Sequence, residues 1–285
     1  MNTLTMQRHL HRLGFDPGEL DGLDGPKTQA ALAHFLEGRN TDDVEAELLD
    51  ASMNIVDGLD TSYFQATQDW SKLDQPLERN DIFAPFGFQF SIIRASYGAS
   101  SKDSTFIEKA HASLDAGVTT FAYHFVSPLA LPGPQIDTLA EQCRRAGLRS
   151  RTVALDLEWT PKDLTGAKLV EWFVANGPKI LDNLRAAVAI CTSTFGAKPI
   201  IYFYPSYWPE LGHGALSAEW TACPLWLSAP TKKGGIHKPV APWPAVSFHQ
   251  WTDDANVVVP VDGYGGPHIL ADRFNGTIDE LRSLT

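Results

Sequence analysis

The chain has 285 residues, 44% of them hydrophobic and 20% charged, ordinary figures for a folded protein with one large domain, or one of about 200 residues with a small companion. A formal net charge of −11 argues against nucleic acid or an anionic membrane surface as the main partner, because neither would attract it. Cys143, Cys191 and Cys223 are odd in number and lack paired spacing, which argues against a disulfide framework or a CxxC metal site.

The N-terminus from Met1 to His9 has no cationic segment leading into an apolar run, and no later stretch has the length of a membrane span. The reading is a protein made in the cytoplasm without a signal peptide or stable membrane insertion, released to any outer target by something else. Residues 1–40 read as a small helical unit. Leu4, Leu10, His11 and Leu13 suit one amphipathic helix, and Ala31, Leu32 and Phe35 another, with a turn-rich stretch between them. Residues 41–54, with Asp42, Asp43, Glu45, Glu47 and Asp50, read as an acidic, partly helical linker.

Residues 55–285 alternate between strand and helix patterns. Strands are expected at 54–59, 91–95, 119–125, 152–158, 199–203, 225–227 and 246–251, and helices at 104–116, 136–146 and 167–194. That order predicts an α/β protein with a parallel sheet, open or closed, and chemistry at the strand C-termini.

The stretch from Arg151 to Trp159 concentrates that chemistry. Val153, Leu155 and Leu157 alternate with Ala154, Asp156 and Glu158, so a strand sends both acids to one face. Two partly desolvated acids repel, and one then keeps its proton near neutral pH while the other ionises, the division that glycosidic cleavage requires. Same-face neighbours stand roughly 6.5 Å apart along a strand, a separation that leaves direct, substrate-assisted and inverting routes all open. Nine histidines form no HExxH-like spacing, so no cofactor or catalytic metal is expected. His124 follows Tyr123 and faces the other side of its strand, which suits a structural histidine.

Two resemblances organise these segments. Gln7, Leu10, Leu13-Gly14-Phe15, Asp21-Gly22, Gly25-Pro26-Lys27-Thr28, Ala30-Ala31 and Phe35 resemble the peptidoglycan-binding type 1 module, a three-helix wall-binding domain. Gly58-Leu59-Asp60-Thr61-Ser62, Ala122-Tyr123-His124-Phe125, Leu155-Asp156-Leu157-Glu158, Ile201-Tyr202, Pro224-Leu225-Trp226, Gln250-Trp251-Thr252 and Asp272 to Gly276 resemble, in order, glycoside hydrolase family 25, the Chalaropsis-type muramidases. The second resemblance implies a shortened, irregular β/α (TIM-like) barrel that cleaves the β-1,4 bond between N-acetylmuramic acid and N-acetylglucosamine.

Carried over by position, Glu158 is the general acid, Asp156 its nucleophilic or assisting partner, and Asp60 and Asp272 two further acids lining the pocket. Either of the latter could instead cap a helix or pair with Arg94 or Arg273. Tyr63, Tyr123, Tyr202, Trp251 and Gln250 are candidates for substrate binding, and Trp208 is a weaker one. Ala66 and Tyr97 depart from the usual pattern, where Gly and Glu are common.

Together the resemblances imply a monomeric, modular hydrolase of peptidoglycan, with a phage endolysin released through a holin pore as the expected context. A bacterial autolysin, an exported antibacterial muramidase, a chitinase-like enzyme and a non-catalytic wall-binding lectin are the alternatives.

Overall fold

A computed structural model describes residues 1–39, 41–65, 68–78, 83–212, 217–230, 238–252, 261–264 and 269–285. Ala66 lies outside the described residues.

Three helices open the chain: α1 (Thr3–Arg12), α2 (Pro26–Leu36) and α3 (Val44–Met53). Each begins where the local sequence satisfies a helix start. The Asn2 side chain accepts the Thr5 amide at 2.8 Å, Pro26 opens α2, and the Asp43 carboxylate accepts the Ala46 amide at 3.0 Å. Leu10, Ala31, Phe35 and Leu48 form their shared core.

The three-helix unit therefore extends to Met53, and the segment expected to be a linker supplies its third helix. Val44, Leu48 and Ala51 turn inward from α3 while Asp42, Asp43, Glu45 and Asp50 stay exposed. Three apolar positions among so many acids make a faint helical period. The Gln7 side chain ties the unit internally: its amide nitrogen donates to Leu23 O and Thr28 Oγ1, both at 3.0 Å, and its oxygen accepts the Gly22 amide at 2.9 Å. Gln7, Gly22 and Thr28, three of the residues that carry the module resemblance, thus hold the unit together.

The rest is a barrel closed by eight strands: β1 (Ile55–Thr61), β4 (Phe90–Tyr97), β6 (Thr119–Phe125), β7 (Ala154–Asp156), β8 (Ile200–Phe203), β9 (Leu225–Ser228), β10 (Phe248–Gln250) and β11 (Ala271–Asn275). Seven run parallel, and β11 lies antiparallel between β10 and β1. Short hairpin strands β2 (Leu77–Glu78) and β3 (Phe83–Ala84) precede β4, and β5 (Ser101–Lys102) folds back on it.

Helices α5 (Phe106–Asp115), α6 (Pro132–Arg145) and α7 (Gly166–Phe195) cover the outside of the central strands. They bury Ile93, Leu155, Leu157, Ile201 and Leu227 there. Short α4 (Trp70–Leu73) and α8 (Tyr207–Glu210) complete the crossovers, and α9 (Ile278–Arg282) ends the chain.

Inside the barrel Val56, Phe90, Phe121, Phe248 and Phe274 form an apolar floor, with Leu281 of α9 packed on it. Gly58 makes room for this floor, since a Cβ there would come within 2.4 Å of the Phe90 ring. The floor keeps water from entering below and leaves the strand C-termini as the open end.

The outer wall at β1 and β11 has a different cover. Asp57 and Arg273 are opposite partners across these strands, and the Arg273 Nε stands 3.3 Å from Asp57 Oδ1. Arg12 of α1 reaches the other Asp57 oxygen and also donates to Ile55 O at 2.5 Å. The N-terminal unit is docked on the barrel wall by this buried contact.

Candidate active site

Strand alternation that builds the floor continues to the open end, where the inward side chains become polar. On β7 and in the two residues that follow it, Leu155 and Leu157 join the apolar layer under the helices, while Asp156 and Glu158 face the cleft. The Leu157 amide donates to Tyr202 O at 2.9 Å. That bond carries the pairing past Asp156 and holds Glu158 in the inward register.

On β1 the inward series Val56, Gly58, Asp60 ends in the third acid. Arg94, Tyr123, Tyr202 and Gln250 arrive from β4, β6, β8 and β10, and Tyr63 from the loop after β1. The cleft holds about 710 Å³, within the range of roughly 300–1,000 Å³ typical of ligand sites.

Burial sets the electrostatics. The Asp156 carboxyl is pushed well above its ordinary value, first by desolvation and then by the charges of Glu158 and Asp60, with Arg94 opposing. Glu158 is also raised, chiefly by burial, against the Tyr202 hydroxyl, which lowers it wherever it acts as the donor, and against Arg94. The two titrate as a pair, and the pair retains a proton at pH values where exposed carboxylates have lost theirs. Asp156 Oδ1 is buried with no hydrogen-bond partner among the described residues.

A hydrogen-bonded chain crosses the cleft base. Gln250 Nε2 donates to Asp60 Oδ2 at 2.6 Å, and Gln250 Oε1 accepts Ser228 Oγ at 2.7 Å and the Tyr202 hydroxyl at 3.0 Å. The same hydroxyl oxygen is 3.4 Å from Glu158 Oε2.

Asp272 lies beneath this chain. Expected to line the pocket, it is 0% exposed and accepts Trp226 Nε1 on Oδ1 at 2.7 Å, while its Oδ2 is buried without a hydrogen-bond partner among the described residues. Burial and the Asp60 charge push its carboxyl well above the usual range.

One rim of the cleft is aromatic. Tyr63, Phe64 and Tyr97 are all substantially exposed around the Arg94 guanidinium, whose centre is 4.7, 5.3 and 5.3 Å from their rings. Asp103 fixes this post, accepting Arg94 Nε at 2.9 Å and the Tyr63 amide at 3.0 Å. Arg94 therefore pairs with Asp103, and Arg273 with Asp57, rather than with Asp60 or Asp272. Buried Lys109 holds the adjoining loop through Thr61 Oγ1 at 3.0 Å and Ser62 O at 2.6 Å. Trp159, also exposed, stands on the cleft wall beyond Glu158.

Trp251 is not a rim residue. It follows the inward Gln250, so alternation turns it to the outer wall, where it is buried and covers Arg273 at 4.4 Å. Trp208 is likewise interior, stacked on Phe203 at 5.1 Å. His124 bridges Ser96 Oγ at 2.8 Å and Gln135 Oε1 at 3.0 Å behind its strand, and burial lowers its pKa to about 4.

Sequence reading missed Phe64, Trp159, Ser228 and the floor donor Trp226. Period-two alternation from Asp60 and Gln250 gives no hint of which loop aromatics stay exposed. Ser228 could have been found, because it ends β9 in register with Gln250. Among the described residues no group of three or more His, Cys, Asp or Glu could hold a metal ion, and no helix is long and apolar enough to cross a membrane.

Comparison with known proteins agrees with this geometry. Lysozyme M1 of Streptomyces globisporus is 24% identical over 234 residues, covering 80% of this chain and 71% of that protein. The family GH25 lysozyme from Aspergillus fumigatus superposes with a TM-score of 0.60 at 22% identity, covering 81% of this chain and 98% of that one. A bacterial lysozyme from Streptomyces coelicolor gives 0.59 at 21% identity, covering 80% and 96%. Residues 59–258 match Glycosyl hydrolases family 25. With most of the barrel inside that match, the chain belongs to glycosyl hydrolases family 25 and is a glycoside hydrolase.

Proposed function

We propose that this protein cleaves the β-1,4 bond between N-acetylmuramic acid and N-acetylglucosamine in peptidoglycan, with Glu158 as general acid and Asp156 as its partner. The observation that carries this reading is the pair itself: two carboxyls on one face at the C-terminal end of β7 and just beyond it, both desolvated, at the open end of the barrel. Glu158 borders the cleft and can protonate the leaving oxygen.

Asp156 lies deeper, with Oδ1 buried and unpartnered. A substrate 2-acetamido N–H would satisfy that oxygen and align the acetamido carbonyl for internal attack, so the assisted retaining route is favoured over direct attack. Asp60 holds the Gln250 end of the chain and contributes negative potential.

Mass analysis of the reducing ends released from purified peptidoglycan tests the reaction. Muramic acid ends are expected, and glucosamine ends would transfer the protein to the chitinase-like alternative. Glu158→Gln tests the donor against the lectin alternative. It should lower turnover by about 10²–10⁴-fold, the usual worth of a positioned general acid, and an unchanged rate removes Glu158 from the role.

The N-terminal unit is proposed to bind the wall and raise the local concentration of the barrel. Support comes from the order of its motif residues and its three-helix core. Sedimentation of the inactive Glu158→Gln protein with purified sacculi, compared with residues 54–285 carrying the same change, checks it. Equal sedimentation would leave the unit a purely structural cover. Pairing a wall-binding unit with a hydrolase supports an endolysin-type role, for which lysis of expressing cells should require a co-expressed holin. The autolysin and exported-effector alternatives predict lysis without one.

A further inference from the structure

The Tyr202 hydroxyl has one proton and two acceptor oxygens within reach, the amide oxygen Gln250 Oε1 at 3.0 Å and the carboxyl oxygen Glu158 Oε2 at 3.4 Å. Which oxygen receives the proton decides what Glu158 experiences. A hydroxyl that donates to Glu158 favours its carboxylate, and one that presents a lone pair favours its acid form.

Gln250 settles the choice through its own far end. Its Nε2 donates to Asp60 Oδ2 at 2.6 Å. The flipped amide would set Oε1 against that carboxylate oxygen, two acceptors in contact. Asp60 Oδ2 is the acceptor of that contact, and the 0% exposed Asp272 beneath it has its own carboxyl pushed up by burial and by the Asp60 charge. Gln250 Oε1 is therefore fixed towards Tyr202. Ser228, which also lies beside Tyr202, gives its own proton to Gln250 Oε1 at 2.7 Å.

We propose that Gln250 is a positioning residue that turns the Tyr202 hydroxyl away from Glu158 as a donor, so that its lone pair receives the Glu158 proton and keeps the catalytic acid loaded. Polarity runs one way along the chain: Gln250 donates to Asp60 and accepts from Tyr202, and Tyr202 accepts from Glu158. The inference rests on the reading of Glu158 as general acid.

Other charged and titratable groups face Glu158. Asp156 shares its strand, Asp60 faces it from β1 and Arg94 from β4, and Lys162 follows it on the cleft wall. Tyr123 of β6 and Tyr204 and Tyr207 beyond β8 also feel its charge. These act on Glu158 at a distance, and they are unchanged by substitution at Tyr202 or Gln250.

The test is the alkaline limb of kcat/KM against pH, which reports the essential acid of the free enzyme. In Tyr202→Phe the Glu158 proton loses its acceptor, and the limb should move to lower pH by about one unit or less, the net worth of one hydrogen bond. In Gln250→Met the Tyr202 proton is freed to donate to Glu158, and the limb should again move to lower pH. Adding Gln250→Met to Tyr202→Phe should move it no further, because Gln250 acts through the hydroxyl.

A limb that moves to higher pH in Tyr202→Phe shows that Tyr202 donates to Glu158 and overturns the proposal. Uniform loss of activity with an unmoved limb does the same, since that is what a structural role gives. Should Gln250→Met not fold, Tyr202→Phe alone decides by the sign of its shift. Retention of activity by Glu158→Gln would instead sink the acid assignment itself, so the two failures are distinguishable.

Discussion

Arg12 in the first helix and Asp57 on the first barrel strand form an ion pair whose side chains are 0% and 1% exposed. Arg273 shares the same carboxylate from the neighbouring strand. Two cations and one anion removed from water are stable only as a set, because each charge loses its hydration and must recover it from the others. The N-terminal unit is accordingly part of the barrel wall, and not a body swinging on a tether.

Arg12→Ala removes one partner and leaves Asp57 with Arg273 alone in the interior. It should destabilise the protein by about 3 kcal/mol, the scale of a broken buried pair. Urea unfolding of parent and variant measures it. Turnover per folded molecule should stay close to the parent, since the pair lies on the outer wall. A change under about 0.5 kcal/mol, the size of a surface substitution, would show that the contact does not hold the unit.

Asp272 is buried and raised by burial and by the Asp60 charge, and it accepts one bond, from Trp226. A neutral carboxyl there keeps the bond from Trp226 and holds an O–H that can turn towards Asp60, and an asparagine side chain offers the same acceptor and an N–H. Asp272→Asn should therefore keep most of the activity, and Asp272→Ala should lose most of it by leaving Trp226 without that acceptor. If the Asn variant is as inactive as Ala, Asp272 acts as an anion.

The parent-variant difference in stability also has a sign. Folded Asp272 holds its proton at pH values where the unfolded chain has released it. Its contribution is fully present below the unfolded value near about pH 4 and is lost as pH rises towards the folded pKa, by about 1.4 kcal/mol per unit. Asp272→Asn lacks that loss and should gain on the parent as pH rises from 5 to 8. Urea midpoints across that range test it. Buried His124 and His9, each lowered to about 4, lose stability as pH falls below about 6.5, but they are common to both proteins and cancel.

Much of this was legible in the sequence, for reasons that also explain what was not. Asp156 and Glu158 were readable because period two survives in a strand as short as β7, and flanking Leu155 and Leu157 fix its sense. Trp251 was misplaced although the same rule applied: Gln250 and Trp251 are adjacent, and only one can face inward. The depth of Asp272 depends on the antiparallel β11 and on Trp226, whose relation is set by barrel closure and leaves no local mark. Leu48 was overlooked because acids surround it, and Arg12 because a buried cation cannot be recognised before its anion is placed.

Phe64 stands beside Tyr63 at 4.1 Å between ring centres and is mostly exposed at the cleft rim. An exposed ring at that place suits the apolar face of a sugar. Phe64→Ala should raise KM several-fold with kcat little changed, the pattern of binding shared by ground and transition states. Steady-state kinetics on solubilised glycan strands gives the split. A fall in kcat with KM unchanged would place Phe64 closer to the reacting bond than the geometry does.

Asp156 shows the cost of assembling this site. Its carboxyl is held inside the barrel mouth against desolvation, against Glu158 and against Asp60, and Oδ1 has no partner there among the described residues. A folded acid with a raised pKa is less stable at neutral pH than one left at its ordinary value, since it must either stay ionised among like charges or bind a proton the unfolded chain lacks. Asp156→Asn removes the charge while keeping the shape. It should therefore lose activity and gain stability at pH 7 together. Thermal unfolding at pH 7 beside an activity assay checks both halves. A variant that loses activity without gaining stability would show that Asp156 is accommodated in the resting protein, and its unpartnered oxygen would then need another explanation than readiness for substrate.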